Sequence, residues 1–578
     1  MKKRNSNKLN NKFNSKTSDI TSNTNVNSIS IISDKNTDNL TNNKLQKLTN
    51  FFLKHGTLII SIIVGLIGLL SIFITAYFNS TFYHPEEKTS FKFSFGIIEI
   101  VLTIFVTILI LIINRKILKK IPSTLILIPI SIVSLILYFY WVNALKLNPE
   151  TDQKLIHEMA LTLLSGNIGN YNDISQYLFL YPYQFALTFV ISLIYKIFGE
   201  NFLYVQYLNC ICSFINMFLI FYISKIIFKK ENIQKILALL IGGFSLYWMF
   251  FNVHFYGNII GLTLALTSIL FTLLYLDKRS FYFLIPAGIF SCLAILIKTN
   301  YFIFLCAIIL ILLLDIIKKW NYKFLLIFPI FIFSFFIINF GYKQIVKYYN
   351  INDSSGVPMI NYIYMGMAPQ TSLSPGWYTG DNVKIYTDSN FNKEKNNEIV
   401  SELISNRLNY FIKNPKEFLT YYAQKIGSTW LNPTFQTIWC SLPGTRYRWY
   451  PEYAHYLGYH EKVLSMVGGN LYKIEENYCN IYQILIFIFA SLGIFKIKSN
   501  TDNLKLYLIP ITFLGGFLFH ILWETKAIYV VQYYFILLPY SAFGIDYLYE
   551  KLFKTKIKKS KQPLKNDNNN NDTTADNT

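Results

Sequence analysis

The sequence predicts an all-α polytopic membrane protein with about twelve transmembrane helices and a small mixed α/β outer domain. Three observations carry this. Hydrophobic residues make up 53% of the chain and charged ones 15%, whereas a soluble protein carries about 25% charged. Apolar runs near or above the roughly 18 residues that a spanning helix needs recur along most of the length. The Lys and Arg residues gather in short clusters between those runs, which is how a positive-inside topology is written. The net charge of +21 is therefore no nucleic-acid footprint, and no nucleic acid is expected as a partner.

Residues 1–50 are rich in Asn, Ser, Thr and Lys and too poor in apolar groups to offset an ordering entropy, so they read as a disordered cytoplasmic tail. The tail is too long and polar for the first part of a cleaved signal peptide. Residues 51–121 hold two accessory spans, 57–78 and 95–113, joined by an outer loop carrying Glu86 and Glu87. Residues 122–342 form the transmembrane core, with spans at 122–142, 203–227, 235–253, 258–276, 281–297, 301–317 and 323–342. Its first outer loop, 144–202, is the candidate catalytic loop. Residues 343–480 are too long for a connector and contain Gly, Pro and aromatic clusters, which predicts an extracytoplasmic domain. Residues 481–553 add spans at 481–496, 505–523 and 530–549, and 554–578 read as a second disordered tail.

The basic clusters check this count. Arg115 to Lys120, Lys225 to Lys235, Lys278 with Arg279, Lys318 to Lys323, Lys496 to Lys505 and both tails all fall on one side, which must be the cytoplasm of a multi-pass plasma-membrane protein. The agreement requires that "YQFALTFVISLIYKIFG" (Tyr183–Gly199) does not cross. It is somewhat short for a roughly 30 Å core, and is read as an outer interfacial or re-entrant helix stopped by Gly199. Of the six cysteines, Cys210, Cys212, Cys292 and Cys306 lie in apolar runs and read as buried thiols. Cys440 and Cys479 read as outward-facing, and a disulfide between them is one option.

"NPETDQKLIHEMALTLLSGN" (Asn148–Asn167) opens the catalytic loop. Asn148 suits an N-cap, Pro149 the first helical position and Glu150 the first turn. Leu155, Ile156, Met159, Ala160, Leu163 and Leu164 then recur on one helical face, and Gly166 ends the pattern. The result is an amphipathic helix on the outer surface, with Asp152 near its N-terminus where the dipole favours a carboxylate. Such a group either completes a helix start or accepts a proton from a hydroxyl.

This stretch, together with "YLFLYPYQFALTFVISLIYKIFGENFLYVQYLN" and "FKK" after it, resembles the first outer loop of GT-C membrane glycosyltransferases. Within these it is similar to glycosyltransferase family 39, the protein O-mannosyltransferases, and above all their Gram-positive relatives. The resemblance implies a GT-C fold, a polyprenyl-phosphate sugar donor, and a cell-envelope glycan, lipid or protein as acceptor, with membrane lipids around it and no other cofactor. It places the catalytic acidic residue at Asp152 and the Pro motif at "YPYQ", Tyr181–Gln184, where the mannosyltransferases usually have a His-Pro-Pro form. "FYGN" with Tyr256, "LIKTN" with Lys298 and Asn300, and the Gly-Trp-Tyr segment with Trp377 stand downstream. "WETKAIY" resembles the family's Glu-x-Lys-x-Arg-Tyr motif and supplies Glu524, Lys526 and Tyr529, with Ile528 where those relatives often carry Arg. Tyr181, Gln184, Tyr256, Lys298, Asn300, Trp377, Glu524, Lys526 and Tyr529 are thus implied to bind substrate.

Each has a plainer reading. Lys298 could snorkel to the interface; Glu524 and Lys526 could form an exposed pair of little worth; Trp377 and Tyr378 could pack a turn after Pro375 and Gly376. His254 reads as packing, and Arg446 with Arg448 as outer surface. No metal-ligand spacing and no phosphate-cradling Gly-Lys loop is visible. The rival class is a transporter or lipid flippase, which would place charges near mid-membrane and show paired repeats. A third is a protein that kept the fold without its activity, which Ile528 keeps open. Asp173 and Glu158 are the alternative bases.

Overall fold

The computed structural model describes residues 35–78, 89–166, 177–319, 326–352, 355–369, 374–441, 466 and 471–554, with side chains from residue 44 onward. The rest of both tails, Glu86, Glu87, Asp173, Arg446 and Arg448 lie outside the described residues.

The first helix, α1 (Lys35–Phe73), begins well inside the tail that composition marks as disordered. The last residues expected in the first span form a strand instead, β1 (Ile74–Phe78), paired antiparallel with β2 (Thr89–Phe93). These are the only strands among the described residues, and the described part of 343–480 carries none. Then come α2 (Ile97–Ile112, continued by a π turn to Ile117), α3 (Ser123–Leu145), the interfacial α4 (Asp152–Ser165), a single turn α5 (Tyr177–Leu180) and α6 (Phe185–Phe198). The core continues with α7 (Phe202–Phe228), α8 (Glu231–Phe251), α9 (Asn258–Lys278), α10 (Leu284–Ile297), α11 (Phe302–Lys319) and α12 (Ile327–Tyr348). The next segment is helical where described: α13 (Ile360–Met365), α14 (Asp381–Asp388), α15 (Lys393–Lys413), α16 (Pro415–Trp430) and α17 (Thr437–Cys440). The last spans are α18 (Tyr472–Ile497), α19 (Leu508–Leu522) and the broken pair α20 (Val531–Ile536) and α21 (Leu538–Tyr549), with Pro539 at the break.

Ten described helices are long and apolar enough to cross a membrane. The shorter apolar Phe281–Ile297 segment and the broken α20–α21 pair stand where the other two expected spans fall. The two ends of the bundle are defined by charge. At one end, Asp546 pairs with Arg115 and Lys230, Asp277 with Lys229 and Lys505, and Asp315 with Arg279. Five loops and the final helix thus bring their predicted basic clusters to one side. At the other end stand the N-termini of α4 and α9 and the C-terminus of α10. The α6 helix stays at that second end. It starts beside the Tyr181 turn, and α7 follows it at the same level, where Gln206 donates to the Leu147 and Val253 carbonyls. Gly199 terminates it at φ 102°, as its sequence requires.

Small residues let the spans approach closely. A side chain on Gly544 would come within 2.0 Å of the Phe489 carbonyl oxygen, and one on Gly493 within 2.3 Å of that of Tyr540, so α18 and α21 cross backbone to backbone. Ser61 and Ser491 exchange hydroxyl-to-carbonyl bonds of 3.2 and 2.7 Å between α1 and α18. The first span is therefore keyed into the bundle, and the Thr89 N–H reaches the Ser374 hydroxyl at 2.9 Å.

Three expectations are corrected. Cys306 is exposed, pointing out of the bundle from α11, because its helical face is not the one turned to the core. Cys440 and Cys479 do not face outside. Both are buried in the core and not joined by a disulfide, because Trp430, Leu431, Phe435 and Ile438 dip into the bundle ahead of Cys440. Gln483 donates to the Trp430 and Asn432 carbonyls, and Tyr247 to that of Pro433, which satisfies this irregular backbone within protein.

Candidate active site

The chain leaves α3 through Lys146 in the left-handed region and enters α4 through Thr151, at φ 51° and ψ −131°. The N-cap is thus Thr151 and not Asn148, and Asp152 is the first helical residue. The reason lies in the next position. Gln153 is buried, accepts the Phe255 N–H at 2.8 Å and pairs with His254 Nδ1 at 3.0 Å, so the helix start is pinned to the end of α8. A strained, non-glycine turn at a site residue is held only by such surrounding contacts. The buried Ile156, Met159, Ala160 and Leu163 fasten the rest of α4 to Phe185, Leu187 and Ile191 of α6. Leu155 is exposed and Leu164 half-buried, so the apolar face is narrower than expected.

The segment that grips Gln153 carries Tyr256. Gly257, at φ 77°, turns it into α9, and a Cβ there would meet the Ile297 carbonyl at 2.9 Å. This close approach brings in Lys298, the extended residue between α10 and α11. Its ammonium donates to the Tyr256 carbonyl at 3.2 Å and lies 4.4 Å from the Tyr256 ring centroid and 5.9 Å from that of Tyr529.

The third contribution is the strap after α19. Glu524 N–H donates to the Tyr362 carbonyl at 3.0 Å and Thr525 N–H to that of Gly376 at 2.8 Å. Beneath it, the buried Lys425 of α16 donates to the carbonyls of Gly366, Ile521 and Trp523 at 2.6, 2.7 and 2.8 Å. Lys526 stands 5.2 Å from the Trp377 ring centroid and 5.9 Å from that of Trp439.

These elements enclose a cavity of about 420 Å³. Asp152, Tyr181, Gln184, Tyr256, Lys298, Asn300, Glu524, Lys526 and Tyr529 all line it. Trp377 does not. It is fully buried and supports Lys526 from behind. Ile528 is buried as well, its N–H on Gln436, so that position does not face the cavity. Sequence reasoning did not single out Tyr177, Tyr183, Tyr362, Trp439 and Trp523 on the walls, although Tyr177 and Tyr183 lie in "YLFLYPYQ" and Trp523 opens "WETKAIY". It also missed Lys425, for which no motif exists. A larger cavity, about 870 Å³, opens between α4, α6 and α12, but its lining holds lysines and no acid. Of these two cavities, the smaller one is lined by both carboxylates and lysines.

Burial raises the Asp152 pKa, against the Tyr256 hydrogen bond and the Lys526 and Lys298 charges. Its carboxylate remains exposed, and the space it faces is the cavity. Burial pushes Lys298 down to about 8 although Glu524 and Asp152 hold it up. Glu524 is pushed up to about 7 by burial, against Lys526, Lys425 and Lys298, and one of its oxygens has no hydrogen-bond partner. The site thus holds a base-capable carboxylate, a near-neutral acid and two cations around one space.

Residues 182–339 match the family model described as dolichyl-phosphate-mannose-protein mannosyltransferase. The matched stretch runs from the Pro182 turn through α6 to α12 and contains Gln184, Tyr256, Lys298 and Asn300, while Asp152 and the 523–529 strap lie outside it. No curated protein and no solved structure matches the chain. Ten described helices apolar enough to cross a membrane, with this similarity through the core, support a multi-pass membrane glycosyltransferase.

Proposed function

We propose that the protein moves a sugar from a polyprenyl-phosphate donor to a cell-envelope acceptor on the outer face of the plasma membrane, with inversion at the anomeric carbon. One observation carries this reading: Asp152, Lys298 and Lys526, from three separate parts of the chain, face one cavity at the end of the bundle away from the basic clusters. With those clusters cytoplasmic, the cavity opens outside.

Lys298 and Lys526 take the donor phosphate, each backed by aromatic rings that fix its ammonium. The acceptor oxygen attacks the anomeric carbon from the face opposite the phosphate. Asp152 takes the hydroxyl proton as the new C–O bond forms. The bond to the phosphate oxygen breaks, and polyprenyl phosphate departs with the electron pair, stabilised by the two cations. Its position at the first turn of α4 favours the charged carboxylate, against the burial that raises its pKa. The transporter reading expects charges near mid-membrane, whereas these lie at helix ends.

The test uses purified enzyme in nanodiscs with polyprenyl-phosphate hexoses. Release of polyprenyl phosphate is followed by chromatography and the product anomer by NMR. A retained anomeric configuration, or no release that depends on Asp152, overturns the mechanism.

A further inference from the structure

The cavity walls differ in chemistry. Lys298 and Lys526 define the phosphate side. Around Asp152 stand Tyr177, Tyr181, Tyr183, Tyr362 and Tyr378. Their hydroxyls are paired: Tyr181 with Tyr378 at 3.4 Å, Tyr183 with Tyr362 at 3.3 Å, and Tyr177 with Tyr256 at 2.8 Å. The rings of Tyr177 and Tyr181 stand 4.7 Å apart, and Tyr362 stacks on Trp523 at 6.0 Å and 5°. Tyr183 and Tyr378 are 36% and 39% exposed, so the wall reaches the mouth. Burial first, and the Asp152 charge second, keep the Tyr177 hydroxyl protonated.

We infer that this wall is the acceptor subsite and that the acceptor is a neutral glycan. The inference rests on the transferase reading above. A phenol hydroxyl both gives and accepts hydrogen bonds, as sugar hydroxyls do. The two longer tyrosine pairs can open to admit a third hydroxyl with little loss, since hydrogen bonds beyond about 3.2 Å are weak. Ring faces between them offer apolar area to the C–H faces of a pyranose, at low entropy cost because a Tyr side chain has two torsions. An anionic acceptor would meet the charges of Asp152 and of Glu524, which acts on Tyr183 and Tyr362, while Lys298 and Lys526 are taken by the donor phosphate. A peptide acceptor is usually held through an open strand edge, a groove for an apolar helix face or an Arg cluster, and the described wall offers none of these.

The experiment gives full-length enzyme in nanodiscs a polyprenyl-phosphate hexose and one of three acceptors: a panel of neutral hexose and N-acetylhexosamine oligosaccharides, a Thr-rich peptide of similar size, or water alone. Polyprenyl phosphate release and labelled product are both read. The expected result is sugar on an oligosaccharide and none on the peptide. Tyr181→Ala and Tyr378→Ala should raise the oligosaccharide KM about tenfold, the loss of roughly 1.4 kcal/mol of binding, and should change the donor KM much less. Tyr181→Phe and Tyr378→Phe keep the rings and should fall between, which guards against misfolding of the alanine variants. Transfer to the peptide alone, or release with water but no glycosylated oligosaccharide, overturns the acceptor assignment and leaves the transferase reading standing. An equal rise in donor and acceptor KM also overturns it, by placing the wall on the donor sugar. No release with any acceptor brings down both.

Discussion

The two ends of the bundle handle charge in opposite ways. At the basic end Asp546 is fully buried and receives both Arg115 and Lys230, Arg279 reaches Asp315 at 2.6 Å, and Lys229 reaches Asp277 at 2.7 Å. At the cavity end neither Asp152 nor Glu524 closes an ion pair with Lys298, which turns to a carbonyl and an aromatic face instead. Burial makes unneutralised charge expensive, so the second arrangement persists only because the backbone holds it. Thr151 in its strained turn and Lys425 under the Trp523 strap do that holding. Charges at the basic end are matched across helices, whereas Asp152 and Glu524 at the cavity end are not closed onto Lys298, as the proposed ligand site requires.

The sharpest way to break this contrast is at Asp152. Asp152→Asn keeps the size and one acceptor oxygen but takes no proton, so turnover should fall about 100- to 10,000-fold, with donor binding, read by titration, nearly intact. Near-normal turnover would move the base elsewhere. Unfolding would show that the carboxylate only starts its helix.

Asp546→Asn probes the opposite end. It removes the carboxylate partner of Arg115 and leaves Lys230 with Glu550, and the penalty should be about 2 kcal/mol, below the roughly 3–5 of a fully buried pair because both cations reach solvent. Thermal unfolding in detergent reads it. Turnover per folded molecule should hold, and a selective loss of turnover instead would show that the two ends are coupled.

The pH dependence comes next. Glu524, raised to about 7, is neutral below that pH and gains negative charge above it; Lys298, lowered to about 8, is charged below and loses its proton above. Both changes work against a donor phosphate, so donor kcat/KM should fall from pH 6 to 9, by roughly tenfold or 1.4 kcal/mol for each charge changed. Glu524→Gln should delete the lower step and leave the upper one. An unchanged profile in that variant would take Glu524 out of the electrostatics.

The smallest effect is expected at Glu158, whose contact with Lys154 spans 3.7 Å with both side chains more than half exposed. Glu158→Gln should shift stability by less than about 0.5 kcal/mol and leave turnover close to wild type. A large loss of turnover would make it the base in place of Asp152.

Sequence alone determined the bundle, because hydropathy and one-sided basic clusters are local signals that the bilayer reads directly. It also marked Asp152, Tyr256, Lys298 and Glu524, since each stands where a span ends. It placed the α4 N-cap at Asn148, because the pull of Gln153 on the Phe255 N–H comes from a residue far along the chain. The descent of Trp430–Cys440 into the bundle, the burial of Trp377 and the three carbonyls on Lys425 were likewise invisible. They depend on which helices become neighbours, and a polar segment carries no local mark of the partners that will satisfy it. Only the tertiary structure decided that carboxylate, cations and tyrosines share one space, because convergence is a property of packed helix ends and not of any stretch of chain.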